Sequence, residues 1–524
     1  MQRTLKKTKR LLKKVGYLLR SPNDRLHFRP DGRTRIEALA HWPLFDRMRV
    51  AAASDLERST KRQLFGSANV PDPPIRHIAP EDFSAARLFA EIKALAASGG
   101  EIHLPAGRIE LDRELALPAG LRLVGVPGRT ELVFKDVPYG IIIRGTADPI
   151  RWVRLEHLRL RHEGDHRFCA AVFVSTASDI LFSHVEILAP RAVGFLLADG
   201  VRAARLEHCT VSRAALVGFM LVRDVQDTVL HACVAEYCGQ GGAFLTDLRL
   251  PSGMDPMDFD GQLHHTNEII GNFGPFAPED PSPYRTTFAN CVFRHNRKMG
   301  ITTDGVGYLR VMNCVIAEND CEGITIDNGS WCCHIQGCHI YNNGWRGLQH
   351  EVELHVDFVE GEGALPDGSS KAKLPGVSLD NAAYIRVEDN CIEGNWGDGV
   401  KFVRAVYGCT VARNLIANNN RGGNDRFHFF GVLAGIAERQ HPEQYDFPSC
   451  HNRIVENDIL GPHYAGIHLM HVTTGNLILN NRIVGASFAP VEDHDTRGNV
   501  IRGNEASLNA HESGHAVAGH GCRD

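Results

Sequence analysis

The chain has 524 residues, with 57 basic against 62 acidic side chains and a net charge of −5. No global basic field exists to attract a polyanion, so nucleic acid is excluded as a partner. No run of 18 or more apolar residues occurs in the sequence, so a membrane-spanning helix is not expected.

In chain order, the first twenty residues carry eight Lys or Arg and no acid. Leu5, Leu12, Val15 and Leu19 fall at helical spacing, which predicts a basic amphipathic helix over 1–20. Such a helix is suited to peripheral contact with an anionic membrane surface. It lacks the apolar core of a secretory leader, so the expected location is cytoplasmic, with the inner membrane face as a docking place. Residues 21–80 are mixed and rich in proline, and read as a preamble and linker. Asp82 to Ser98 has helical apolar spacing, with Asp82 as the expected N-cap and Gly99–Gly100 after it. The expectation is a helix that covers the open end of a stack of strands.

From there to residue 509 the sequence repeats. Gly300, Gly323 and Gly347 lie 23 and 24 residues apart, and Asn296, Asn319 and Asn343 precede them in register. Cys209, Cys233, Cys291, Cys314, Cys338 and Cys391 share a position and predict an internal ladder of buried, free thiols. Runs such as LRVMNCVI and HIQGCHI alternate at period 2, with Asn and Gly between them. A unit this small cannot bury its apolar face alone, so the pattern calls for stacked parallel strands.

With its Gly-Gly, strand and Pro-Ala-Gly opening after the helix, the sequence resembles the pectin-lyase-like superfamily over roughly 99–509. That resemblance implies an all-β fold: a right-handed parallel β-helix with an N-terminal helical cap. Three insertions are expected near 249–286, 352–380 and 433–450, all leaving from one edge of the stack.

The strand after each repeat glycine carries the candidate chemistry. Two residues on stand Thr302, Thr325, Gln349, Lys401 and His468; four residues on stand Asp304, Asp327 and Glu351. Residues two apart share a strand face, and adjacent rungs lie about 4.8 Å apart. Asp304 and Asp327 would then suit a retaining glycosidase pair at about 5 Å, and Asp304 with Glu351 an inverting pair at roughly 9.5 Å. The expected catalytic set is Asp304, Asp327, Glu351, Lys401 and His468. Thr302, Thr325, Gln349, Arg404, His471, Asp255 and Asp258 are the expected substrate contacts.

Two further motifs qualify this reading. DPMD, with Asp255 and Asp258, is similar to the DPHD motif of mannuronan C5-epimerases, but Met257 stands where that family has a histidine. With Asp260 the spacing also suits Ca2+, although a full EF-hand loop is not present and no cofactor is required by the reading. The tail over 510–524 holds His511, Glu512 and His515 in an HExxH match, with His520 and Cys522 beyond. It lacks a protease scaffold around it and is expected to be a disordered tail without a metal. The function expected is a carbohydrate-active enzyme, hydrolase or lyase, acting on an acidic polysaccharide in a groove. A uronate C5-epimerase and a non-catalytic scaffold binding glycan or a membrane-surface partner are the alternatives.

Overall fold

Each coil of the chain turns at single residues that tolerate the left-handed backbone. Asn290, Asn313 and His184 have φ of 56°, 53° and 53° between the first and second strands of their coils. Asn and His are enriched in that region because a short polar side chain can bond locally. Between such corners the strands are mostly three residues long, too short to stand alone, and each is stabilised by the matching strand of the next coil.

The computed structural model describes residues 74–163, 169–246, 285–327, 329–345, 373–403, 406–422, 429–435, 449–470, 473–493 and 498–508. Their strands assemble into three parallel sheets of 15, 14 and 13 strands, here sheets A, B and C. The chain visits A, B and C in turn, as in Arg310–Met312, Val315–Ala317 and Ile324–Asp327. The result is an all-β right-handed solenoid of about 14 turns. Among the described residues no helix is long and apolar enough to cross a membrane.

The bore is filled by inward columns. Ile301, Ile324, Val377, Val400, Val432 and Ile467 line it from sheet C and are fully buried. Farther up, Phe182 meets Phe195 edge-on and Phe195 stacks on Phe219, with centroids 5.2 and 5.5 Å apart. At the corner between sheets A and B runs the cysteine ladder. Each Sγ of Cys233, Cys291, Cys314 and Cys338 donates to a carbonyl of the preceding coil, at 3.4 to 3.5 Å. Among the described residues no cysteine is in a disulfide. Burial pushes the Cys233 thiol well above its ordinary range and Cys238 up to about 12.

A second ladder, Asn296–Asn319–Asn343–Asn395–Asn419, turns the chain from sheet B to sheet C, each Nδ2 reaching the next Oδ1 at 2.8 to 3.0 Å. The repeat glycines pack against it. A Cβ on Gly300 would sit 2.6 Å from the Gly323 carbonyl oxygen and 2.9 Å from Asn319 Nδ2.

Several expectations are corrected. The cap helix α1 spans Ala85–Leu95 and is N-capped by Ser84, whose hydroxyl accepts from the Arg87 N–H; Asp82 closes a short 3-10 turn before it. Ile75–His77 already pairs with Gly100–His103, so the solenoid begins inside the expected linker. Cys391 stands outside the ladder. The residue in register with Cys338 is Asn390, whose Oδ1 accepts the Cys338 N–H at 2.8 Å. The second and third insertions are narrower than the expected 352–380 and 433–450, since Val377–Leu379, Val432–Ala434 and Ser449–Cys450 are strands. They also leave from two edges: 247–284 and 436–448 connect sheet C to sheet A, while 346–372 connects sheet B to sheet C. The expected N-terminal helix over 1–20 and the tail over 510–524 lie outside the described residues.

Candidate functional site

Sheet C presents two outward columns, because residues two and four beyond each glycine point away from the bore. The first column runs Ile142, Phe173, Leu196, Met220, Phe244, and then Thr302, Thr325, Ser378, Lys401. Leu433, His468 and Glu492 complete it. The face changes character between Phe244 and Thr302. On the apolar side, Tyr139 stacks on Phe173 at 4.5 Å, and the Arg144 guanidinium lies 4.7 Å over the Phe173 ring. On the polar side hydroxyls take over.

The second column holds Thr246, Asp304 and Asp327 as direct strand partners. The rung after Asp327 is filled by Val377–Leu379, which pairs with Ile324–Ile326. The Asp380 N–H then donates to the Ile326 carbonyl at 2.9 Å, which places Asp380 opposite Asp327. Ser378 and Asp380 therefore occupy the rung expected for Gln349 and Glu351. The chain makes a long connection after Asn343, and the next strand of sheet C starts at Val377. The signal was in the sequence: Gly300–Gly305, Gly323–Asn328 and Gly376–Asn381 read GITTDG, GITIDN and GVSLDN. Spacing pointed to Gly347 instead, because the third copy lies beyond the 346–372 connection.

Asp304 and Asp380 are buried and Asp327 between them is half-buried. Rung spacing puts neighbours about 4.8 Å apart and the outer two roughly 9.6 Å apart along the sheet. The backbone beneath them is pinned. The Asp327 carbonyl accepts from the Ser330 hydroxyl at 2.6 Å, the Ser330 N–H at 3.1 Å and the Gly305 N–H at 3.3 Å. The Ser330 hydroxyl also bonds Thr303 Oγ1 at 3.0 Å. Asp304 and Asp327 thus end strands whose turns are tied to each other, and Asp380 follows the strand Val377–Leu379 in the same row.

Lys401 is half-buried one rung beyond Ser378. It lies near Asp398, a fully buried residue that pattern reading missed. Burial pushes the Asp398 carboxyl up to about 6 against the pull of Lys401, and its Oδ1 accepts the Phe430 N–H at 2.7 Å. His468 is two rungs past Lys401 and does not join the carboxylate row. It is buried, with Nδ1 2.5 Å from Glu492 Oε2 and its ring 4.3 Å from that of Phe430. At the edge between sheets B and C, Trp345 is exposed and its Nε1 donates to Asp320 at 2.6 Å. Trp396 carries Lys373 and Arg421 over its ring at 5.3 and 5.0 Å.

The structure thus brings Thr302, Thr325, Asp304 and Asp327 together and leaves His468 at the far end of the face. Gln349, Glu351, Arg404, His471, Asp255, Asp258 and Asp260 lie outside the described residues.

Comparison with known proteins agrees with the architecture. Residues 267–360 match the family described as right handed beta helix region. The chain is a right-handed parallel β-helix. The A-module of the mannuronan C-5 epimerase AlgE6 from Azotobacter vinelandii aligns with a TM-score of 0.50 and 16% identity, over 80% of this chain and 94% of that one. The catalytic unit of a thermostable GH87 α-1,3-glucanase from Streptomyces thermodiastaticus aligns at 0.51 and 13% identity, over 84% and 70%. No curated protein matches the sequence. At such identities the β-helix shares its fold with these proteins, and its chemistry rests on its own residues.

Proposed function

We propose that this β-helix is a polysaccharide-acting enzyme that hydrolyses glycosidic bonds on the outer face of sheet C. The observation that carries the reading is the row Asp304–Asp327–Asp380. Three carboxylates in consecutive rungs repel one another, so stability alone would not favour them, whereas acid–base chemistry uses such an arrangement. One carboxyl protonates the departing glycosidic oxygen while another activates a water or attacks the sugar. Adjacent members at about 4.8 Å fit the retaining geometry, and the outer pair at roughly 9.6 Å fits the upper end of the inverting one.

Thr302, half-buried beside the row, offers its hydroxyl to the sugar, while the Thr325 hydroxyl and Ser378 are buried beneath it. Lys401 follows them and favours an acidic unit in the neighbouring subsite. Proton abstraction from a uronate would need a cation against the carboxylate of the reacting unit, whereas Lys401 stands one rung past Ser378. Three acids in a row suit hydrolysis better than that step. The two fold relatives, one described as an epimerase of mannuronan and one as a glucanase, support a linear polysaccharide as the class of substrate.

The test is incubation of the full chain with acidic polysaccharides such as alginate and with neutral glucans, following reducing ends and the ultraviolet absorbance of unsaturated uronates. New reducing ends without absorbance, lost in Asp327→Asn, are the expected result. Absorbance rising with the reducing ends would replace hydrolysis by elimination. No reducing ends and no absorbance on any substrate, with variant and wild type alike, would overturn the hydrolase reading.

A further inference from the structure

Sheet B carries a second cluster, on a different face from the carboxylate row. His339 and Cys391 are direct partners on adjacent strands, His339–Tyr341 and Cys391–Glu393. Glu393 is two residues past Cys391, so all three side chains share the outer face. One ligand atom from each lies within 4.8 Å of the other two. His339 Nε2 is 2.7 Å from Glu393 Oε1. Cys391 is here because Asn390 takes its place in the interior ladder, which turns this thiol outward. Val315 and Leu415, the neighbours of the pair along the same column, are aliphatic and offer no competing ligand. His339 and Glu393 are 44% and 39% exposed, so an ion reaches them from solvent without any opening of the fold.

We propose that His339 Nε2, Cys391 Sγ and a Glu393 oxygen bind one zinc(II) ion, with water as the fourth ligand. An imidazole nitrogen, a thiolate and a carboxylate form a donor set that zinc takes in tetrahedral geometry, and soft-to-borderline cations are preferred over Ca2+ by the sulfur. On binding, the Cys391 S–H proton leaves to solvent and the thiolate pair forms the Zn–S bond; no electron is transferred. His339 donates the lone pair of its neutral ring nitrogen. Two rigid strands preset the three donors.

The place is informative. Most consecutive coils are joined by about two dozen residues, as for Asn319 and Asn343, 24 apart, whereas His339 and Glu393 are 54 apart, across one of the three long connections. The ion staples the two rungs that the 346–372 connection interrupts, and so closes the longer loop of chain.

Metal-free full-length protein titrated with cobalt(II) tests this. One equivalent should give a thiolate-to-cobalt charge-transfer band that zinc(II) bleaches. Cys391→Ser should abolish the band, and His339→Gln should weaken zinc binding by at least the roughly tenfold that even an outer-shell loss costs. Zinc should also raise the melting temperature of wild type and not of Cys391→Ser. Either no band, or a band undiminished in Cys391→Ser, would overturn the proposal; the latter would move the metal to another thiol, such as Cys522 of the histidine-rich tail. Because the site lies on sheet B, its failure leaves the hydrolase reading untouched, and the reverse.

Discussion

Asp380 is the residue on which the proposed chemistry turns, because it completes the row yet stands 53 residues beyond Asp327. If the row acts as a unit, Asp380→Asn should lower kcat by roughly a hundredfold or more. The circular dichroism spectrum should not change. Steady-state kinetics on the best polysaccharide decides it; a variant as active as wild type would remove Asp380 from the acid–base centre. Asp304 and Asp327 were legible because their glycines keep a fixed period. Asp380 obeys the same local pattern of glycine, β-branched residue, hydroxyl and acid, but the period breaks ahead of it. Cys391 illustrates the opposite error. A cysteine and an asparagine serve the same ladder position, since Cys338 Sγ reaches the Val311 carbonyl at 3.4 Å and Asn390 Nδ2 the Ile335 carbonyl at 3.0 Å. A pattern built on one residue type therefore slips by one when the other replaces it.

Between coils, stability resides in the ladders and in the glycines packed on them. The Asn319 side chain makes four bonds: Nδ2 donates to Asn343 Oδ1 and the Phe293 carbonyl, and Oδ1 accepts the N–H and the amide of Asn296. Asn319→Ala leaves several buried partners unpaired and should cost about 3 kcal/mol, seen as a lower urea midpoint. A midpoint within error of wild type would mean water replaces the ladder. Gly323→Ala tests the close approach itself, since its Cβ would lie 2.6 Å from the Gly376 carbonyl oxygen. Backbone cannot yield cheaply, so a loss of about 1–3 kcal/mol is expected. These elements follow from the sequence because a ladder repeats the same residue at the same step. The connections between them carry no such constraint, which is why the edges from which they depart were misjudged.

The solenoid as a whole should weaken toward acid in two windows. Burial pushes the His463 imidazole down to about 4. The unfolded chain, with a histidine near 6.5, binds that proton first, so stability is lost as pH falls from about 6.5 to about 4. Burial pushes the Glu388 carboxyl up, but the His334 ring nitrogen 3.3 Å away and the hydrogen bond from Arg386 outweigh it and hold the group at about 2. Its contribution is present above the unfolded value near 4.3 and lost below it. Urea titrations at stepped pH should show His463→Gln losing less stability than wild type in the upper window; equal slopes would discard the assignment. The parallel stack has one more consequence. Side chains along sheet C are separated by whole coils, so the molecule is a ruler graduated in steps of about 4.8 Å. Lys401 stands two graduations from Thr325. Splicing a complete coil between them would lengthen that interval by one mark while leaving each residue's own surroundings intact. Such a protein can therefore change the spacing between two groups on this face only in whole marks.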